Sequence, residues 1–370
     1  MNKFKNIIIK SFRGLKDLEL ENLNNINIFV GDNNVGKTSI LEAIYLLSNP
    51  SFNNVLKTAS LRSFKYLYGT SNFDSFLNIF PKNNDIYEIA IKSTNDNEFI
   101  DLKIKGYIEN VLFDVNEVPE LFKIRKKGMF QGQSSIETKQ FKGNIIVDAS
   151  KGLFDKFNEE INYNYFSRIT GRVIDYKKSV YRIHYLSPID YLIGNVFDSI
   201  IKNEKYKEIC LKILNTFDSD IDDLVILRSE EHGLPVEYIK SKTKGLMPLY
   251  TYGDGIKKVL SIANGIAKSY DGILLIDEIE TAIHSKYYDD IFKFIIKASK
   301  QFNVQLFITT HNIEALDGLL SAQNSIGVDE ENISVVTLRK DNINNQILSR
   351  TMFGKEVSSH RDKFNFEVRI

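Results

Sequence analysis

The sequence predicts an α/β fold built on a parallel sheet and split by a mixed α/β insertion. Three observations carry that expectation. The apolar segment Ile26–Val30 stops at Gly31 and gives way to a helix with apolar residues at Ile40, Leu41, Ile44 and Leu47. Two later apolar segments, Ile273–Ile276 and Val304–Ile308, end in Asp277-Glu278 and Thr309-Thr310-His311, and helical periodicity follows each. Between the two blocks, strict alternation in Tyr87–Lys92 and Ile100–Lys105, around a Ser-Thr-Asn-Asp-Asn cluster, reads as a β-hairpin.

Taken in order, Asn6–Phe12 and Leu18–Leu20 are short strands that precede the strand at Ile26–Val30. A polar stretch rich in Asn and Ser then runs to about Asp85 with little periodicity. From 107 to 185 the pattern suggests strands at Asn144–Val147 and Val180–Leu186, with a helix near Phe154–Ser167. Helices are expected between Asp190 and Phe217, and another after Gly255. Further elements follow: a helix over Lys286–Lys300, a helix after His311 and a strand at Ser334–Leu338. The domain reading is an N-terminal half at 1–90, an insertion at 91–245, a C-terminal half at 246–340 and an extension at 341–370.

Composition narrows the classes. The chain has 370 residues, 43% hydrophobic and 26% charged, which excludes a disordered or fibrous protein. Lys+Arg and Asp+Glu both number 48, so no global basic excess points to nucleic acid. A lone cysteine, Cys210, excludes a disulfide framework and a multi-thiolate zinc site. No apolar run approaches a membrane span, and the N-terminus lacks the apolar core of a signal peptide, so the expectation is a soluble, cytoplasmic chain without membrane contact.

The chemistry begins at Gly31-Asp-Asn-Asn-Val-Gly-Lys37-Thr38, a full match to G-x-x-x-x-G-K-[ST] between a strand and a helix. Such a loop turns backbone N–H groups onto phosphate oxygens at a helix N-terminus. Asn33, Asn34, Val35, Gly36, Lys37, Thr38 and Ser39 are therefore the expected ATP-binding residues. Lys37 would neutralise the β- and γ-phosphates, and the Thr38 hydroxyl would reach Mg²⁺. Asp277 is the expected second Mg²⁺ ligand, and Glu278 the base that orients and deprotonates the attacking water. The competing reading is that these acids only cap a strand end. His311 ends another buried strand, and Gly31, Asp277 and His311 would share the carboxyl rim of a parallel sheet. Its expected role is catalytic, as a γ-phosphate sensor, against the commoner fate of a structural histidine. His184, His232, His284 and His360 read as structural.

Phe12-Arg-Gly14, GDNNVGKTSILEAI, ILLIDEIETAIH and FITTHN, in that order, resemble the ABC-type ATPase heads of the SMC/RecF class, and most nearly the OLD-like bacterial ATPases of anti-phage systems. The resemblance covers about 1–48 and 246–320 well and the middle loosely. It implies a P-loop NTPase of ABC-ATPase type whose two halves are separated by the insertion, Lys37 and Asp277 lying 240 residues apart. It also implies that Thr251, Gly253, Asp254 and Gly255 form a signature segment acting in trans on ATP held by a second subunit, although Thr251 stands where a Ser is usual. A plain glycine turn capped by Asp254 is the alternative. By the same resemblance, Glu280–His284 would be a D-loop crossing a dimer interface, and Arg13 would contact nucleotide unless it serves a surface ion pair. Gln131, Gln133 and Gln140 are equal candidates for the Q-loop.

OLD-like nucleases carry a Toprim domain, and the 59 residues after His311 are too few for one. The cluster Asp218–Asp223 reads as a solvated turn, and Lys123–Lys127 with Lys177-Lys178 as solvated basic faces. The expected protein is an ATP-hydrolysing, Mg²⁺-dependent homodimer or higher homo-oligomer that controls an effector encoded nearby, such as a Toprim nuclease. DNA would be reached indirectly. A RecF-like DNA-binding repair clamp and an ATP-binding scaffold with little turnover are the alternatives.

Overall fold

A computed structural model describes residues 3–62, 71–81, 86–96, 98–118, 134–150, 156–166, 181–193, 196–229, 232–327, 332–341, 343–344 and 346–364. Its first elements are β1 (Asn6–Phe12), β2 (Leu15–Leu20), β3 (Ile26–Gly31), α1 (Lys37–Ser48), α2 (Phe52–Ser60) and α3 (Asn72–Leu77). Then come β4 (Tyr87–Thr94), β5 (Phe99–Asp114), β6 (Ser135–Ala149), β7 (Phe157–Asn164), β8 (Ile183–Leu186), α4 (Glu204–Leu214), β9 (Ile221–Arg228), β10 (Pro235–Ser241) and β11 (Gly245–Pro248). The remainder are α5 (Asp254–Lys268), β12 (Ile273–Ile276), α6 (Tyr288–Gln301), β13 (Gln305–Thr309), α7 (Ile313–Ile326), β14 (Ile333–Lys340), β15 (Ile347–Phe353) and α8 (Gly354–Phe364).

The chain divides into two units. The first holds Met1–Asn6, Leu20–Leu41 and Tyr181–Ile370; the second holds Ile7–Glu19 and Glu42–Val180.

In the first unit a six-stranded sheet runs in the order β15-β14-β3-β13-β12-β8. Its four pairings from β14 to β8 are parallel, with Ile28 between Val335 and Ile308 and Leu275 between Phe307 and Tyr185. Only β15 is antiparallel. Every residue of β3, β12 and β13 is buried, which is why these strands are largely apolar instead of alternating. Parallel neighbours need crossovers, and α5, α6 and α7 supply them with buried aliphatic faces. The α7 boundaries follow from local chemistry. The Asn312 side chain accepts from the backbone N–H groups of Glu314 and Ala315, and Gly327 ends the helix in the left-handed region at φ 64°. A small antiparallel sheet, β11-β10-β9, completes this unit. The strand at Ile183–Leu186, expected within the inserted stretch, pairs in parallel with β12 and so belongs to the phosphate-loop sheet.

The second unit contains a sheet ordered β2-β1-β4-β5-β6-β7. The expected hairpin is present, with Tyr87 opposite Gly106 and Thr94 opposite Phe99. The expected helix near Phe154–Ser167 is not. Residues 157–164 form β7, antiparallel to β6, with Ile161 and Tyr163 buried and Glu160 and Asn162 exposed. Cross-strand pairing overrides the local helical preference of Glu159-Glu160. The polar stretch after Ser48 contains α2 and α3, capped by Ser51 and Ser71, whose side chains accept from Asn54 N and Asp74 N. Phe76 of α3 is fully buried, edge-on to Phe80, Phe141 and Tyr163 with centroids 5.0–5.2 Å away.

Candidate functional site

Three segments of the first unit converge: the β3–α1 loop, the turn after β12 and the turn after β13. The β3–α1 loop curls because three positions adopt positive φ: Gly31 at 145°, Asn34 at 66° and Gly36 at 87°. At Gly31 a Cβ would collide with the Leu338 carbonyl oxygen on neighbouring β14, so no other residue fits there. Val35 is buried and anchors the loop, while Asp32, Asn33 and Asn34 are exposed. The Lys37 ammonium donates to the carbonyl oxygens of Gly31 and Asp32, both at 2.8 Å, which holds it over its own loop. Ser39 is buried in the first turn of α1.

The Thr38 hydroxyl donates to Asp277 Oδ2 at 2.9 Å, joining residues 239 positions apart. Asp277 is buried, and its other oxygen accepts from Thr309 Oγ1 at 2.6 Å; Tyr185 OH donates to Oδ2 at 3.2 Å. Strand ends β8, β12 and β13 thus all hold one carboxylate. Glu278 has φ 49°, its N–H donates to Thr309 Oγ1 at 2.8 Å, and its carboxylate is partly accessible. A left-handed residue directly after a buried strand redirects the chain, so consecutive acids serve different surroundings.

His311 is exposed at the end of β13. Its Nδ1 lies 2.9 Å from Glu280 Oε1, and the same oxygen accepts from the His311 backbone N–H at 3.0 Å. Glu280 is therefore a buried partner of His311 within this unit. His284 matches the structural reading, its Nδ1 accepting from Lys286 N at 3.3 Å. His184 is a partly buried residue of β8, and desolvation lowers its imidazole below its usual range. The side chain of His360 lies outside the described residues.

Thr251, Gly253 and Asp254 are exposed at the start of α5, and Gly255 is partly buried against the Ala282 carbonyl. Gly253, not Asp254, is the N-cap, and Asp254 instead pairs with Lys257 at 2.8 Å. No side chain caps this helix. The Thr251 hydroxyl is turned back onto the Pro248 carbonyl at 2.7 Å.

Arg13, in the second unit, adopts φ 51° and pairs with Glu42 at 2.7 Å. Glu42 is fully buried and also binds Arg62 at 2.7 Å, so Arg13 is held in a buried ion pair and not in the surface pair weighed above. Gln140 accepts from Asn164 Nδ2 on β7 at 3.2 Å, whereas Gln131, Gln133 and the basic clusters at 123–127 and 177–178 lie outside the described residues.

Sequence reasoning missed Thr309, Tyr185, Glu280 as a partner of His311, and Lys258. Lys258 is 2% exposed on α5, with its ammonium 3.5 Å from the Glu278 carbonyl and 5.8 Å above the Tyr191 ring. Burial lowers it to about 8 despite the opposing pull of Glu280, Asp190, Asp277 and Glu278. The signal for it was a lysine on the apolar stripe of α5; for Glu280, an acid two places beyond the Asp-Glu pair.

Residues 3–314 match the AAA ATPase domain family, and the chain belongs to it: it is an SMC/RecF-like ABC-type ATPase. The "ATP/GTP phosphatase" of Helicobacter pylori (strain ATCC 700392 / 26695) is 26% identical over 95% of this chain and 96% of its own length. The Septu protein PtuA of Bacillus thuringiensis is 23% identical over 88% of this chain and 76% of its own. Among solved structures, the Smc head domain from Pyrococcus furiosus, bound to the C-terminal domain of ScpA, matches with a TM-score of 0.52. It is 9% identical over 98% of this chain and 99% of that one, a likeness of fold.

Proposed function

We propose that this ATPase is a dimeric nucleotide switch that regulates a separately encoded effector in anti-phage defence. The observation that carries it is the Thr38–Asp277 hydrogen bond, which joins the phosphate loop to the acidic strand end. The backbone amides of residues 33–39 bind the phosphates, and Lys37 leaves its two carbonyl partners to neutralise them. Thr38 and Asp277 are adjacent hard oxygen donors, a set that suits Mg²⁺ and not a softer metal. Mg²⁺ bound there supplies charge neutralisation at the phosphate oxygens.

Glu278 orients a water toward the γ-phosphorus and takes its proton. The bond from γ-phosphorus to the β,γ-bridging oxygen breaks, and ADP and phosphate leave. His311 hydrogen-bonds the γ-phosphate before it departs. The exposed, uncapped start of α5 favours an anion, which supports its meeting ATP held by a second copy through Thr251, Gly253, Asp254 and Gly255. Nucleotide would then lie between two subunits, and dimer lifetime would report its hydrolysis. The likeness to the Septu protein PtuA supports the defence role and a partner protein.

Glu278→Gln tests the switch. Turnover should fall by roughly 10²–10⁴-fold, and ATP should shift the variant to a dimer in light scattering. Equal inactivity of wild type and variant, with no change of size in ATP, overturns the proposal. Co-purification of a neighbouring gene product in an ATP-dependent manner tests the effector.

A further inference from the structure

Glu280 has an unusual combination of features. It is buried, and its Oε1 accepts from the His311 backbone N–H at 3.0 Å and lies 2.9 Å from the His311 ring Nδ1. Its second oxygen, Oε2, is buried with no hydrogen-bond partner among the described residues.

A carboxylate only accepts hydrogen bonds, so Nδ1 must carry the hydrogen that lies between the two groups. That leaves Nε2 as the free edge of a ring that is about half exposed, 51% against 7% for Glu280. The backbone bond fixes where the His311 main chain leaves β13, and the ring bond fixes how the imidazole turns. Both are set by one oxygen.

We propose that Glu280 is a positioning residue that holds His311 in its Nδ1–H tautomer and orientation. In a neutral ring, Nε2 then accepts a hydrogen bond; after it takes a proton, the imidazolium donates through Nε2 while Glu280 stabilises the positive charge. The inference rests on the reading of His311 as a group that meets the γ-phosphate, and it adds a consequence. With Nδ1 committed to Glu280, the histidine reaches a phosphate oxygen as a donor only when both ring nitrogens carry hydrogen.

The test uses the full-length protein with ¹⁵N-labelled histidine, the His311 signals being assigned by their loss in His311→Ala. Wild type should show an Nδ1-bound proton with Nε2 bare or both nitrogens protonated. Glu280→Ala should move the resting ring to the Nε2–H tautomer, and Glu280→Gln, which keeps an acceptor oxygen and guards against loss of fold, should retain the Nδ1 proton. An unchanged His311 spectrum in Glu280→Ala overturns the inference. In turnover assays Glu280→Ala should lower kcat about as much as His311→Ala, with KM for ATP changed less than about twofold, and the double variant should be no worse than His311→Ala alone. Losses that multiply overturn it as well. Wild-type turnover in His311→Ala would remove the catalytic reading of the histidine, while the nitrogen spectrum still decides the role of Glu280.

Discussion

In the parallel sheet of the first unit, β3, β12 and β13 are buried along their whole length and mostly aliphatic, with one stacked pair, Phe29 and Phe307, 6.3 Å apart. In the antiparallel sheet of the second unit, β5 alternates buried and exposed residues, and burial is concentrated on an aromatic group around Phe76, Phe141 and Tyr163. The polar groups follow the same split. The first unit places three buried polar residues just at or beyond strand ends: Thr309 bonds Asp277, and Glu280 bonds the backbone of an accessible histidine. The buried acid of the second unit, Glu42, is matched by two arginines. Placing charge at the carboxyl ends of parallel strands makes a reactive rim, whereas pairing it off inside makes a scaffold.

The comparison breaks most readily at the rim. Lys37→Ala should reduce phosphate release by roughly 10²–10³-fold while leaving the denaturation midpoint nearly unchanged. A large loss of stability would mean that Lys37 holds its loop together through the two carbonyls. Phe76→Ala should do the reverse, costing about 3–5 kcal/mol in chemical denaturation followed by near-ultraviolet circular dichroism. A cost below about 1 kcal/mol would show that the aromatic group is not the centre of that unit's core.

Lys258 offers a smaller, pH-resolved effect. Its ammonium is lowered to about 8 in the folded protein, against 10.5 for an ordinary lysine. Between those values the unfolded chain binds the extra proton, so this group's contribution to stability rises as pH increases from about 8 to about 10.5. In Lys258→Met that rise should shrink by on the order of 3 kcal/mol, read as the difference between the two urea-midpoint curves. Parallel curves would show that Lys258 is solvated. Least in energy, but clean as a probe, is Cys210, a buried thiol that burial pushes up to about 12. Alkylation of the native protein at pH 8 should be slower than that of the urea-unfolded chain by roughly the unfolding equilibrium, so its rate reports opening of the first unit.

How much was legible in the sequence followed the same division. The rim was readable because motif and strand pattern reinforce each other: GDNNVGKT after INIFV, and DE after ILLI, need no knowledge of the rest of the chain. Glu280 and Lys258 were not readable in their roles, because each is defined by a partner 31 or 20 positions away across a strand or helix. In the second unit, β7 was mistaken for helix because its acidic pair favours one locally, while its pairing with β6 is a non-local fact. The capped helices α2 and α3 were hidden by Asn-rich polarity, although Ser51 and Ser71 sat at their starts as ordinary cap signals.

The position of β3 also has a consequence for synthesis. It is made within the first 31 residues, yet both of its neighbours, β13 and β14, come from residues 305–340. During translation its two edges have no native partner until most of the chain has left the ribosome, and an unpaired apolar strand is a template for wrong pairing. The phosphate loop that β3 carries takes shape against Leu338 and Asp277, so a nascent chain that has not reached β14 cannot close it. A head truncated before β14 would therefore leave one edge of β3 open, and with it the side of the phosphate loop that Leu338 closes.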